Sequence, residues 1–188
     1  MVEIEYKYEL NREQFLHICS RFSWDELSEM ENYYYDDQEL TLYSKDITIR
    51  VRKLNNKIML ESKLPESKSD DGVIRVSKER SCELSSVPDS LDQNMVLQMT
   101  DLILDGVENI GKLKTTRRRK KLENLTIFAD MCKYLGKIDY ELELEIENGD
   151  YITDIDSLTG LSGLKPSDGK RSRFIKKKED LGNEHCLQ

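Results

Sequence analysis

Histidine is nearly absent from this chain: only His17 and His185 occur in 188 residues, one in a helix-forming stretch and one in the tail. Imidazole-based zinc sites and Ser-His nucleophiles therefore lack the groups they need. The four cysteines, Cys19, Cys82, Cys132 and Cys186, are widely spaced and form no CxxC pair, so they read as free thiols. No secretory leader is recognisable and no apolar run approaches about 18 residues, which makes a cytoplasmic protein without a membrane span the expectation. Positive charge is also in deficit. With 29 Lys and Arg against 37 Asp and Glu the formal net charge is −8, which argues against nucleic acid as a main partner, because phosphate backbones need a basic surface. A small polyanion stays compatible if bases converge locally. Apolar residues make up 37% and charged residues 35%, a balance that goes with disorder when it is unpatterned. Here the apolar residues keep a clear period of two, so a folded single domain over 1–188 is expected, long enough to bury a real core.

What is present is charge arranged on strand faces. Glu3, Glu5 and Lys7 alternate with Val2, Ile4 and Tyr6, so one strand places all three charges on one side. Glu141, Glu143, Glu145 and Glu147 alternate in the same way with Tyr140, Leu142, Leu144 and Ile146. Taken alone, either stretch is an ordinary half-buried strand with a solvated polar face. The middle of the chain reverses the sign. Thr48, Arg50 and Arg52 alternate with Ile47, Ile49 and Val51, and Lys57, Glu61 and Lys63 share a face with Met59. A surface built only for solubility mixes both signs; acidic terminal strands with basic central ones suit a site for a cation and a polyanion together.

The remaining elements follow from local signals. Asn11 and Gln14 form a capping box that opens a helix to about residue 21, with Phe15, Ile18, Cys19 and Phe22 at helical spacing. A strand over Tyr33, Tyr34 and Tyr35 ends at Asp36 and Asp37. Strands at 47–54 and 57–64 flank an Asn55-Asn56 turn, and 65–72 reads as a polar, mobile loop. A strand at 73–80 puts Arg75, Ser77 and Glu79 on one face. The stretch 86–105 reads as one helix offering Met95, Leu97, Met99, Leu102 and Ile103 to the core, followed by strands at 110–119, 122–130 and 138–147. After Gly149 come a short helical segment, a Gly-rich link and a basic end from Lys170 to Lys178. Charged faces on nearly every strand favour an α+β fold in which about eight antiparallel strands close into a barrel, charges inward and helices over the apolar outer faces.

Glu3-Ile4-Glu5-Tyr6-Lys7 is an ExExK sequence. With Tyr34-Tyr35-Asp36, Arg50-x-Arg52, Lys63, Arg75 with Glu79, the Arg117 to Arg119 run, Asp130 and Tyr140-Glu141-Leu142-Glu143 in order, the chain resembles the CYTH superfamily, the triphosphate tunnel metalloenzymes. Tyr134-Leu135-Gly136 ahead of Asp139 makes it most similar to the small Firmicutes branch. The resemblance implies a closed antiparallel eight-stranded tunnel that binds a small-molecule triphosphate. It implies Mg²⁺ or Mn²⁺ held among Glu3, Glu5, Glu79, Asp130, Glu141 and Glu143, since hard cations take oxygen ligands. Arg50, Arg52, Lys63, Arg75, Arg117 and Arg119 are implied phosphate contacts, with Lys7, Tyr34 and Lys63 at the reacting centre. The family's terminal Ser-Lys-aromatic element is replaced by Ser172-Arg173-Phe174, which makes Arg173 the expected last phosphate contact, after Lys170 and Arg171. Other roles stay open: Lys7 as a spacer between glutamates, Tyr34 as packing, and only part of the 117–119 run inward.

The activity this implies is metal-dependent hydrolysis of inorganic triphosphate or a triphosphorylated small molecule. The alternatives are cyclisation of ATP, hydrolysis of thiamine triphosphate, and binding of polyphosphate or a nucleotide without turnover. No adenine pocket is recognisable, Trp24 suits the core better than thiazole stacking, and four metal-type glutamates point to two cations, more than storage alone would need. Oligomeric state is left open.

Overall fold

The computed structural model describes residues 2–147, 152 and 154–186, with side chains over 3–147, 152 and 154–183. Along the chain run β1 (Val2–Leu10), α1 (Arg12–Arg21), β2 (Glu26–Asp36), α2 (Thr41–Ser44), β3 (Thr48–Leu54), β4 (Lys57–Lys68), β5 (Ile74–Glu83), β6 (Ser90–Leu91), α3 (Gln93–Thr100), β7 (Val107–Lys121), β8 (Leu125–Tyr134), β9 (Lys137–Ile146), α4 (Ile155–Thr159), β10 (Lys165–Pro166) and α5 (Lys170–Cys186).

Eight antiparallel strands close on themselves in the order β1-β5-β4-β3-β2-β7-β8-β9, with β9 returning to β1 through the Lys7↔Glu143 and Glu5↔Glu145 register. Closure removes the sheet edges and gives each strand an inner face. The charged faces point inward. Outer apolar faces are covered in two places: Tyr6, Tyr8, Leu10, Ile127, Leu142 and Leu144 pack under Phe15 and Ile18 of α1, and Ile49, Val51, Leu60 and Val107 pack under Val96 and Met99 of α3. The expected barrel and helix covers are both present.

Several boundaries differ from the sequence expectations. β2 begins well before Tyr33, because its first half is polar and is held by pairing with β7. The expected loop at 65–72 is largely strand: β4 runs to Lys68 against β5, and a bulge between Pro65 and Ser67 absorbs the proline. The long 86–105 helix is confined to Gln93–Thr100, capped by Asp92 through Met95 N–H and closed by Asp101 in the left-handed region; Ile103 is 69% exposed. The basic end is a helix of 17 residues, α5. Cys19, Cys82 and Cys132 are free thiols, whereas the side chains of Cys186 and His185 lie outside the described residues. Among the described residues no helix is long and apolar enough to cross a membrane.

α5 enters one end of the barrel. Phe174 and Ile175 pack there with Tyr34, Leu113, Cys132 and Tyr134. A β2–β7 register shift at Tyr34/Tyr35 and Gly111 at φ +139° make the room: a Cβ at Gly111 would stand 2.5 Å from Phe174 Cζ. Gly111→Ala should therefore cost about 1–3 kcal/mol of stability by overpacking and backbone strain. Urea denaturation of the single variant and of Gly111→Ala with Phe174→Leu, where the clash is eased, measures how much of that cost comes from the ring.

Candidate active site in the barrel interior

A cavity of about 680 Å³ runs through the barrel, lined by Glu3, Glu5 and Lys7 from β1, Glu143 and Glu145 from β9, and Arg50 and Arg52 from β3. The closure order fixes where the charges meet. β9 lies four strands from β3 in a ring of eight, so Glu143 and Glu145 face Arg50 and Arg52 across the interior, while β1 lies opposite β2 with Asn32 and Tyr34. Lys63 from β4 and Arg117 from β7 complete the walls.

The basic wall is held in place by acids of its own. Arg50 Nε donates to Glu61 Oε2 at 2.8 Å, Arg52 Nε donates to Asn32 Oδ1 at 3.1 Å, and Arg52 Nη1 lies 3.5 Å from Glu61 Oε1. One carboxylate between two guanidiniums does not settle both. Burial, and then the charge of Arg50, pull Arg52 down to about 10. Lys63 is buried too, yet Glu5 and Glu3 outweigh that and raise it above the ordinary lysine value, so it stays an ammonium. Burial pushes the Tyr34 phenol up, so it remains protonated.

The carboxylates fall into two groups, each with its oxygens within 4.8 Å of one another: Glu3, Glu5 and Glu145, and Asp130, Glu141 and Glu143. In the first, Lys7 Nζ sits 2.7 Å from Glu5, and Lys63 pairs with Glu3 and lies 3.7 Å from Glu5 and 3.0 Å from Glu79. Glu145 is pushed up to about 8 by burial, then by Glu3 and Glu143, while Arg117 opposes without cancelling. In the second group Lys170 from α5 lies 2.8 Å from Asp130 and 2.7 Å from Glu143 and also contacts Glu141. Burial works to raise Glu141, but Lys170 and Arg173 bring it down to about 2.

Most of the expected site residues share this cavity. Glu3, Glu5, Lys7, Tyr34, Arg50, Arg52, Lys63, Arg75, Glu79, Arg117 and Glu143 all line it. Tyr34 is at once packing, at 1% exposure beside Phe174, and wall. Asp130 and Glu141 lie behind the wall, each 0% exposed. Arg119 has the parity of Arg117 but sits nearer Asp25 and Glu147, while Arg118 faces outward over the Phe15 ring at 5.6 Å. Arg173 turns away from the cavity: its Nε donates to Asp139 Oδ2 at 3.0 Å and its Nη1 to Glu141 Oε2 at 2.5 Å. The bases of that segment that line the cavity are Lys170 and Arg171. Sequence reasoning did not place Glu145 or Glu61 in the site, and among the bases at 170–173 it favoured Arg173 over Lys170. Glu145 and Glu61 were visible in the alternation; nothing local marks Lys170, which depends on where α5 enters the barrel.

The family model described as CYTH domain matches residues 1–168. A Bacillus subtilis (strain 168) protein, YjbK, named provisionally as a triphosphatase, is 31% identical over 151 residues, which is 77% of each chain. A Bacillus halodurans structure named provisionally as an adenylate cyclase superposes with TM-score 0.71 at 22% identity, covering 92% of this chain and 96% of that one. A Hippeastrum protein, named provisionally as an adenylyl cyclase and described as having a dominant triphosphatase activity, superposes with TM-score 0.71 at 20% identity, covering 94% and 96%. The two structural likenesses establish the fold.

Proposed function

The chain belongs to the CYTH domain family, and on that footing we propose that it is a metal-dependent hydrolase cleaving inorganic triphosphate to pyrophosphate and phosphate. The observation that carries this reading is opposed charge facing one cavity: the carboxyl oxygens of Glu3, Glu5 and Glu145 crowd within 4.8 Å of one another on one side, and across from Glu145 the guanidiniums of Arg50 and Arg52 share the one carboxylate of Glu61. A divalent cation and a polyanion satisfy both at once. Two further donors that line the cavity, Arg75 Nε and Ser77 Oγ, are buried with no hydrogen-bond partner among the described residues, as a polyanion site requires. YjbK's name and the activity described for the Hippeastrum protein support the same substrate class.

Glu3, Glu5 and Glu145 fit a hard cation such as Mg²⁺ or Mn²⁺, since all their donors are oxygen and Glu145 makes no ion pair among the described residues. When bound, the cation polarises the scissile phosphoryl group. The rest of the chemistry belongs to this chain's own groups. Arg52 and Arg50 offer guanidinium donors to phosphate oxygens with Glu61 keeping both aimed, whereas Arg117, bound to Asp130 and Glu143, contributes its charge to the wall. Lys63 and Tyr34 are protonated near neutral pH, so neither takes a proton from water; they act as a fixed charge and a donor. Catalysis is thus positional and electrostatic, as phosphoryl transfer demands.

Cyclisation of ATP is the weaker reading because, among the described residues, neither aromatic ring lining the cavity has a face open to a base. Tyr34 is packed against Phe174, and Arg117 already covers the Phe128 ring at 4.0 Å. The test is phosphate and cyclic AMP release from inorganic triphosphate, ATP and thiamine triphosphate, each with Mg²⁺ and Mn²⁺. Inorganic triphosphate should be the best substrate, and cyclic AMP formed from ATP with no attack on triphosphate would overturn the proposal. In the same assay Arg52→Ala should raise KM by about 10-fold or more, a lost charge-assisted fork being worth about 1.5–3 kcal/mol, and Arg52→Lys by less.

A further inference from the structure

The second carboxylate group, Asp130, Glu141 and Glu143, does not fit a metal ion. Each of its oxygens already accepts from a cation or a hydroxyl. Asp130 Oδ1 accepts from Arg117 Nε at 2.8 Å and Asp130 Oδ2 from Arg117 Nη2 at 2.7 Å, and Lys170 Nζ forms an ion pair with Oδ2 at 2.8 Å. Glu141 Oε1 accepts from Lys170, and Glu141 Oε2 from Arg173 at 2.5 Å and from Ser167 Oγ. Glu143 Oε1 accepts from Lys170 at 2.7 Å, with Lys7 at 3.4 Å, and Glu143 Oε2 accepts from Arg117. Lys170, Arg117 and Arg173, the last shared with Asp139, thus occupy every oxygen of the three carboxylates, and none is left free for a metal. A divalent cation could reach these oxygens only by displacing bases already bound to them, which would leave those bases buried and unpaired at a desolvation cost.

Burial points the same way. Asp130 and Glu141 are 0% and Glu143 4% exposed, whereas Mg²⁺ sheds water reluctantly and usually keeps several waters, which needs access to the cavity. Glu3 and Glu145 have that access, and although Lys63 pairs with Glu3 and Lys7 with Glu5, Glu145 makes no ion pair among the described residues.

We infer that the barrel holds one resident divalent cation, at Glu3, Glu5 and Glu145, and that the Lys170 ammonium occupies the second carboxylate group in place of a second one. This rests on the hydrolase reading for its metal and corrects the two-cation expectation drawn from the sequence. Lys170 is then a positioning residue. It fixes Glu143, on the cavity wall, through the buried Asp130 and Glu141 behind it, and it carries α5 into the barrel as it does so. An ammonium is monovalent and tethered, so this half of the site is charged and ordered before substrate arrives and does not vary with metal concentration.

The experiment is Mn²⁺ titration of the whole protein without triphosphate, read by electron paramagnetic resonance, with phosphate release assayed on the same preparations. Wild type is expected to bind one tight Mn²⁺. Glu145→Gln should weaken it by at least about 100-fold, and Asp130→Asn should change it by less than about threefold. Two tight ions in wild type, or loss of a tight ion in Asp130→Asn, would overturn the inference; the wild-type count alone decides it if Asp130→Asn fails to fold. Two ions with triphosphate hydrolysis intact would overturn this inference and leave the hydrolase reading standing. One ion with no hydrolysis of any triphosphate would do the reverse, and no tight ion would overturn both.

Discussion

Glu145→Gln is expected to abolish most metal-dependent turnover and, at the same time, to stabilise the metal-free protein in mildly alkaline solution. Both effects have one cause. The carboxyl is held near Glu3 and Glu143 in a buried position and is pushed up to about 8. A carboxyl whose folded pKa lies above its unfolded value binds more protons folded than unfolded between the two. Without a divalent cation, wild-type stability should therefore fall as pH rises from about 4.5 to about 8, by on the order of a few kcal/mol. Glutamine carries no such penalty, so the variant should melt higher than wild type at pH 8 and within error of it near pH 4.5. A divalent cation reverses the comparison, because it stabilises the ionised form of Glu145 and finds one ligand fewer in the variant. Loss of at least about 100-fold in kcat goes with this. Thermal melts at both pH values with and without Mn²⁺, beside phosphate release, measure it; an unchanged kcat would exclude Glu145 from the metal site.

The gain of stability with loss of activity explains which parts of the site the sequence disclosed. Period-two alternation is a local property, and it placed Glu3, Glu5, Arg50, Arg52, Lys63 and Glu143 on inner faces because strand geometry leaves no other arrangement once the sheet closes. Glu145 has the same parity as Glu143, yet the family pattern that selected glutamates ends one pair earlier, so a residue visible in the alternation was left out. β2 was recognised only where tyrosines mark it; its first half, from Glu26, is polar and becomes a strand through pairing with β7 across a long sequence separation. The 86–105 helix was overextended because apolar residues on both sides of Gln93–Thr100 mimic helical spacing, although Asp92 and Asp101 cap it at each end. For the basic terminus, composition suggested a phosphate contact at Arg173 and could not show that Gly111 admits Phe174, which sets the rotation of α5 and turns Lys170, not Arg173, into the cavity.

That rotation makes Lys170 the side chain whose loss should cost the fold most. Lys170→Met keeps most of the stem's volume and removes the ammonium, leaving Asp130, Glu141 and Glu143 with Arg117, Arg173 and, at 3.4 Å from Glu143, Lys7. Breaking one partner out of a buried ion network costs about 3–5 kcal/mol, a large part of the stability of a domain this size. The sign of its pH dependence identifies the mechanism. In wild type, Glu141 is lowered to about 2 and Glu143 well below its ordinary value, against burial, by Lys170 first among the bases. Their contribution is fully present above about 4.5, the unfolded value, and fades only as pH falls toward 2. In Lys170→Met burial is opposed by fewer bases, so a carboxyl of this group should protonate more readily and relieve its own cost as the solution is acidified. Urea denaturation should show the gap between wild type and Lys170→Met at its widest near pH 7 and narrowed by pH 4.5, with Lys170→Arg intermediate. A gap that keeps its full size at pH 4.5 would mean that the methionine disturbs α5 packing around Phe174 and Ile175, and that the ammonium is not what holds the three carboxylates.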